Sequence, residues 1–112
     1  MKKLNNTQGP ILTVRQQLQR SSTEIAQQLH RSVSRATSVD YLPCTEYDAE
    51  VARQHRLAEE LLFLQHCRSA LERAVDKNSS RLVWRWQDGS TSEVRFRRQN
   101  HHITMVVRQK SA

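Results

Sequence analysis

Arginine is the residue type whose chemistry stands out in this sequence. The chain has 14 Arg against 4 Lys, and the planar guanidinium group binds phosphate or carboxylate through two parallel hydrogen bonds. Near the C-terminus, arginines alternate with apolar residues, which places them on one face of a β-strand. The pattern predicts an anion-binding face formed by Arg85, Arg95, Arg97 and Arg98. A merely solvated face is the alternative, since antiparallel sheets commonly have one wet side.

A second set of candidate nucleic-acid contacts lies between residues 22 and 42. The segment 24–29, followed by a turn at His30 and a helix start at Ser32, resembles the helix-turn-helix of bacterial regulators. The resemblance implies DNA binding through a recognition helix whose polar side chains reach base edges and phosphates. The residues expected to contact DNA are Arg31, Ser34, Arg35, Thr37 and Ser38. A helix pair with a purely structural role is the alternative interpretation.

The other reactive residue types form no recognisable catalytic or metal site. Cys44 and Cys67 have no partner at the short spacing that zinc sites use. His101 and His102 are adjacent, so we expect their rings to point apart. The sequence shows no glycine-rich phosphate loop and no activated nucleophile. We therefore expect no metal, no cofactor and no enzymatic activity.

The order of a long helix followed by Arg-rich strands resembles that of small toxin ribonucleases, which also place Arg and His on a sheet. The resemblance implies RNA cleavage on that sheet. We expect this chain to depart from the family in one respect, because its N-terminal segment shows no strand pattern that would join the sheet.

Positive charge is concentrated at both ends of the chain. The net charge of +7 is made up of +5 over residues 1–39, −3 over residues 40–77 and +5 over residues 78–112. Basic ends favour a polyanionic partner, although solubility also favours a basic composition. No apolar run reaches the roughly 18 residues that a membrane span requires, and none follows the first lysines as in a signal peptide. We expect no membrane association and a cytoplasmic location.

Composition and periodicity divide the chain into a tail and one small α+β domain. Residues 1–9 are polar and unpatterned, which predicts a flexible basic tail, and residues 10–112 form the domain. Residues 10–42 are predicted to be two or three short helices. A capping box of Ser21 and Glu24 indicates that one of these helices begins there.

The rest of the domain changes from helical to strand periodicity. Residues 45–77 are predicted to form one long amphipathic helix, and residues 81–109 a three-stranded antiparallel meander with a turn at Asp88-Gly89. Trp84 and Trp86 could stack on bases, but they share a face with apolar residues of the meander. We therefore expect both to lie in the core.

The apolar stripe of the long helix exceeds what a small sheet can cover. A helix of this length extends about 45 Å, whereas a six-residue strand spans about 20 Å. We expect the N-terminal helices or a second copy to cover the remainder. The residues of the possible homodimer contact are Leu57, Leu61, Leu64 and Leu71.

These observations favour a small, basic, non-catalytic protein that binds nucleic acid or regulates transcription, with DNA as the favoured ligand. The alternative is an adaptor, chaperone or inhibitor whose basic face docks on an acidic surface of a larger protein machine. A steep salt dependence separates the two functions, because each neutralised phosphate releases counterions.

Overall fold

Two helices cover one face of a four-stranded antiparallel sheet in the residues that the structure describes. The structure is a computed structural model and describes residues 4–36 and 44–112. In chain order the elements are β1 (Thr7–Pro10), α1 (Ile11–Ala36), α2 (Cys44–Lys77), β2 (Ser79–Arg85), β3 (Thr91–Gln99) and β4 (His102–Lys110). The sheet order is β1-β4-β3-β2, and every neighbouring pair is antiparallel. The α+β class is confirmed.

β1 is a strand that the local sequence pattern does not reveal. Residues 7–10 pair with residues 102–105 of β4, so part of the expected tail is an edge of the sheet. The Val107 N–H donates to the Asn6 side-chain oxygen at 2.7 Å, which ties the preceding residue to β4 as well. Pro10 fits this position because an edge strand can place a residue without an N–H toward solvent. The expectation that no N-terminal strand joins the sheet is therefore wrong.

α1 is one helix of 26 residues rather than a series of short helices. Neither the capping box at Ser21 nor the turn at His30 interrupts it. Small polar residues stand where the sequence pattern suggested breaks, and Ser22 and Ser32 are both buried. They continue a stripe at spacings of three and four along one side of the helix. Its members are Val14, Leu18, Ser22, Ile25, Leu29, Ser32 and Ala36.

The continuity of α1 has a physical cause and one consequence. No Gly or Pro lies between residues 11 and 36, so packing along the whole stripe outweighs the weak local capping signals. The helix-turn-helix prediction is therefore wrong for the described part of residues 22–42, because no turn separates two helices there. Residues 37–42, where the recognition helix and a third short helix were expected to continue, lie outside the described residues.

α2 confirms the predicted long helix to within one residue at its start. The helix ends where Asn78 adopts a φ of 71°, the left-handed conformation that commonly terminates helices. Just beyond it, the Ser80 hydroxyl donates to the Ala70 carbonyl at 2.5 Å, which fixes the start of β2 against the helix.

The apolar stripe of α2 is buried within a single chain. Leu57, Leu64 and Leu71 are at most 6% exposed, and Leu61 is half-buried. α1 packs along α2 on one side, and the sheet lies beneath both. The predicted homodimer through this stripe therefore has no support, because the long α1 supplies the cover that we assigned to a second copy.

The meander is confirmed, and its two turns follow the local sequence. Gly89 has a φ of 89° in the β2–β3 turn, where glycine is favoured over residues with a Cβ. Ser90 donates to the Asp88 carboxylate through its hydroxyl and, at 2.8 Å, through its N–H. These bonds lower the pKa of Asp88. Asn100, with a φ of 55°, begins the turn between β3 and β4.

The tryptophans lie on the helix-covered side of the sheet, as predicted. Trp86 is 6% exposed and Trp84 is half-buried. Their ring centroids lie 5.0 and 5.9 Å, respectively, from that of Phe63 on α2. The Trp86 indole N–H donates to the Ser92 hydroxyl at 2.8 Å.

None of the helices in the described residues is long and apolar enough to cross a bilayer.

Candidate nucleic-acid interface

The face of the sheet opposite the helices carries a cluster of cationic side chains. Strand alternation turns Val94, Phe96, Ile103 and Met105 toward the helices, and all are at most 2% exposed. Residues between them face the other way, and no part of the described chain covers them. We call this surface the basic sheet face. Its cationic residues are Arg81, Arg85, Arg95, Arg97, Arg108 and Lys110.

Cross-strand register brings these cations together from distant parts of the sequence. Arg81 of β2 lies opposite Arg95 of β3, and Arg108 of β4 lies opposite Glu93 of β3. Directly opposed side chains have Cβ atoms about 5 Å apart, so these residues are immediate neighbours. The surface is concave, with a hollow of about 850 Å³ lined by residues of β2, β3 and β4.

Glu93 is the one carboxylate among the described residues of this face, and two arginines bind it. Arg81 donates to one oxygen through Nη2 at 2.6 Å and Nε at 2.8 Å. Arg95 Nε lies 2.8 Å from the other oxygen. The hydrogen bond from Arg81 is the main reason that the pKa of Glu93 lies below its usual value. Glu93 therefore holds Arg81 and Arg95 in place and offsets one of their charges.

The other four cations of the face have no internal counter-ion. Within residues 4–36 and 44–112, no carboxylate forms an ion pair with Arg85, Arg97, Arg108 or Lys110. Unrelieved like charges on neighbouring strands cost stability. The six cations and one carboxylate leave five formal positive charges here, out of +7 for the chain.

The structure brings three of the four predicted sheet arginines together and separates the fourth. Arg85, Arg95 and Arg97 lie on the basic sheet face, as their alternation indicates. Arg98 lies opposite the buried Ile103 and therefore points to the helix side. Its Nη1 donates to the Val75 carbonyl in the last turn of α2, and its Nε donates to the Asn100 carbonyl at 2.7 Å. Arg98 is therefore not part of the basic sheet face. Its side chain instead caps the C-terminal end of α2.

The residues expected to read DNA lie elsewhere, near the end of α1 that is distant from β1. Arg31, Arg35, Glu50 and Arg53 line a cleft of about 150 Å³ between the two helices, and no strand residue lines it. Arg35 Nε is 3.6 Å from Glu50. Ser34 is exposed nearby. Nucleic-acid contacts by these residues stay a prediction.

Thr37 and Ser38, which we also expected to contact DNA, lie outside the described residues.

Three cations of the face, Arg81, Arg108 and Lys110, were not among the contacts predicted from the sequence. The alternation Thr104, Val106, Arg108 continues to Lys110, and this period of two was the available signal. It was overlooked because the apolar residues of β4 dominate the pattern.

The titratable groups of the face are spread too widely for joint acid–base chemistry on one bond. His102 lies opposite Gln99 of β3, which is six residues along the strand from Glu93. At about 3.4 Å per residue, the two groups are separated by about 20 Å. The arrangement is suited to holding an extended anion.

Comparison of the chain with protein-family models, with curated proteins and with solved structures finds no match.

Proposed function

We propose that this protein binds nucleic acid through the basic sheet face. The observation that carries the proposal is a set of four cations without counter-ions in the described chain: Arg85, Arg97, Arg108 and Lys110. Of these, Arg97 and Arg108 line the hollow of the face. A polyanion would neutralise charges that the described part of the chain leaves unpaired, and the released counterions would favour association.

The composition of the face supports contacts to phosphates rather than to bases. Proteins that hold unpaired bases commonly stack them on exposed aromatic side chains. Here the tryptophans and Phe96 lie on the helix side of the sheet. Arginine together with Thr, Ser and Gln hydroxyls and amides suits phosphate and sugar oxygens. We therefore expect weak sequence preference and binding to a duplex or another structured backbone.

The same composition favours nucleic acid over an acidic protein surface. Protein interfaces are organised around apolar or aromatic anchors in a desolvated centre. The apolar side chains of this face are Val83 at the β2 edge and the half-buried Val106. Protein–nucleic acid interfaces are more polar and more positively charged. Docking on an acidic protein is the alternative function and an outcome of the test below.

The test compares two double variants that lose the same charge. Arg97→Gln with Arg108→Gln removes two unpaired cations from the face. Arg56→Gln with Arg73→Gln removes two exposed cations from α2, on the other side of the molecule. Fluorescence anisotropy with labelled 20-base-pair DNA and RNA duplexes gives each affinity at about 0.1 M salt. Gel analysis of the RNA after incubation reports any cleavage, and a labelled poly-glutamate peptide represents an acidic protein.

We expect the face variant to lose at least tenfold in duplex affinity and the α2 variant to lose less than threefold. Each phosphate contact is worth about eightfold between 1 M and 0.1 M salt. Equal losses in the two variants would contradict a defined interface. Binding of poly-glutamate as tight as duplex binding would favour the docking function, and cleaved RNA would show that the protein is an enzyme.

A further inference from the structure

The outer edge of β2 has hydrogen-bonding groups that no other described strand uses. At the two ends of the β2–β3 ladder, the Trp86 N–H donates to Ser90 and the Arg98 N–H donates to Asn78. Residues that exchange hydrogen bonds alternate along an antiparallel pair. The even-numbered residues of β2 therefore bond to β3, and the N–H and C=O groups of residues 79, 81, 83 and 85 point outward.

The two edges of the sheet differ in how well they are protected. β1 has four residues, and the Ile11 N–H donates to the His101 carbonyl. By the same alternation Pro10 lies at an outward position of β1, where it offers no N–H. β2 has seven residues in unbroken register with β3 and contains no Pro or Gly. Long, regular edges of this kind pair with other strands.

Apolar side chains are exposed beside the β2 edge. Val83 is 53% exposed on the strand, and Leu62 is 50% exposed on α2. Leu62 lies one turn before His66, whose ring centroid is 5.1 Å from that of Trp84 on β2. These two are among the five large apolar residues that are exposed in the described chain. Exposed apolar groups along an unpaired edge indicate an interaction surface.

We infer that β2 pairs with β2 of a second copy of this chain, antiparallel and with Leu82 on the two-fold axis. Only residues with outward N–H groups can exchange hydrogen bonds across the edge, so one strand can slide past the other only in steps of two residues. Each such step moves the residue at the centre of the pairing by one. A register centred on Arg81 or on Val83 places arginine opposite arginine. The register centred on Leu82 places each Arg81 opposite Val83 of the other copy, and each Arg85 opposite Ser79.

This self-complementary pairing identifies a second copy as the occupant of the edge. It satisfies four outward residues on each strand without a like-charge pair directly across the interface. A two-fold axis perpendicular to the sheet keeps both basic sheet faces on the same side of an eight-stranded sheet. The dimer forms without nucleic acid, and it would present one continuous basic surface of twice the size.

The first experiment measures the mass of the protein in solution and the effect of removing one N–H group from the β2 edge. Sedimentation equilibrium without nucleic acid should give twice the 13.1 kDa of one chain. Val83→Pro removes one outward N–H and leaves the β2–β3 bonds intact, whereas Val83→Thr keeps the N–H and the branched side chain. We expect the proline variant to raise the dimer dissociation constant at least tenfold and the threonine variant to change it less than threefold. Circular dichroism verifies that both variants are folded.

The second experiment tests the register by disulfide cross-linking in a Cys44→Ser background, where the other cysteine, Cys67, is buried. Leu82→Cys would place two thiols directly opposite each other in a non-hydrogen-bonded pair, about 4.5 Å apart at Cα. Val83→Cys would place them diagonally, beyond the reach of a disulfide. Mild oxidation should therefore cross-link the Leu82 variant at least tenfold faster.

A wild-type mass of one chain at 200 µM would overturn the inference. Faster cross-linking of the Val83 variant, or equal dissociation constants for the proline and threonine variants, would also overturn it. Salt separates this inference from the proposed function. Screening weakens repulsion between the basic copies and should strengthen the dimer, whereas it should weaken duplex binding.

Discussion

The number of cations on the basic sheet face without a carboxylate partner among the described residues gives an expected salt dependence for duplex binding. Four cations of the basic sheet face, Arg85, Arg97, Arg108 and Lys110, have no carboxylate partner in the described chain. If each neutralises one phosphate, the slope of log K against log salt is about −3.6, since each contact contributes about −0.9. Affinity should then fall about 150-fold between 50 and 200 mM salt. The slope counts only these four cations and leaves out Arg81 and Arg95, because Glu93 binds both guanidinium groups and offsets one of their two charges.

The Arg97→Gln and Arg108→Gln double variant provides a second salt slope to compare with that of the wild type. Two contacts remain, so the slope should be about −1.8 and the same salt range should weaken binding only about 12-fold. Anisotropy titrations at five salt concentrations, with the Arg56→Gln and Arg73→Gln variant as control, give all three slopes. A wild-type slope near zero would refute phosphate binding. A variant slope equal to that of the wild type would place the contacts elsewhere on the molecule.

Three further measurements test the remaining assignments. Leu71→Ala should lower the free energy of unfolding by about 2–5 kcal/mol, because Leu71 is fully buried between the helices and the sheet; a smaller loss in urea denaturation would show that the site collapses. Hydrogen bonding lowers the pKa of Glu93, so its pair with Arg81 stabilises the fold above the unfolded-state pKa, and this stabilisation is lost as the pH falls through the lowered folded-state pKa. An NMR titration of the Arg81→Gln variant should show a higher pKa for Glu93 than in the wild type. An unchanged pKa would contradict the assigned cause. Arg31→Gln with Arg35→Gln tests the duplex contacts that remain predicted for α1. A loss of affinity as large as that of the face variant would support these contacts, and a loss no larger than that of the α2 control would contradict them.

The elements that sequence reasoning located correctly are those with strong local signals. Asn78 ends α2 in a left-handed conformation, and Gly89 turns the chain between β2 and β3. Both residue types favour such geometry whatever surrounds them. β1 has no such signal, because its four residues become a strand only through pairing with β4, about 95 residues later in the chain. The prediction of short helices in place of α1 was wrong for a related reason. The burial of Ser22 and Ser32 depends on contacts with other parts of the chain, which the sequence of the helix does not reveal.

The basic sheet face shows the same limit at the level of single residues. A period of two correctly placed Arg95 and Arg97 on one side of β3, because strand geometry alone fixes that relation. The same rule, applied to Arg98, places it on the opposite side, where it donates to the Val75 carbonyl and stabilises the end of α2. Counting all neighbouring arginines as one patch therefore overstated the local charge. Alternation does not show which residue of β4 faces Glu93, because that depends on the length and geometry of the β3–β4 turn at Asn100. Register, rather than composition, decides which charges find a partner and which remain available to a ligand.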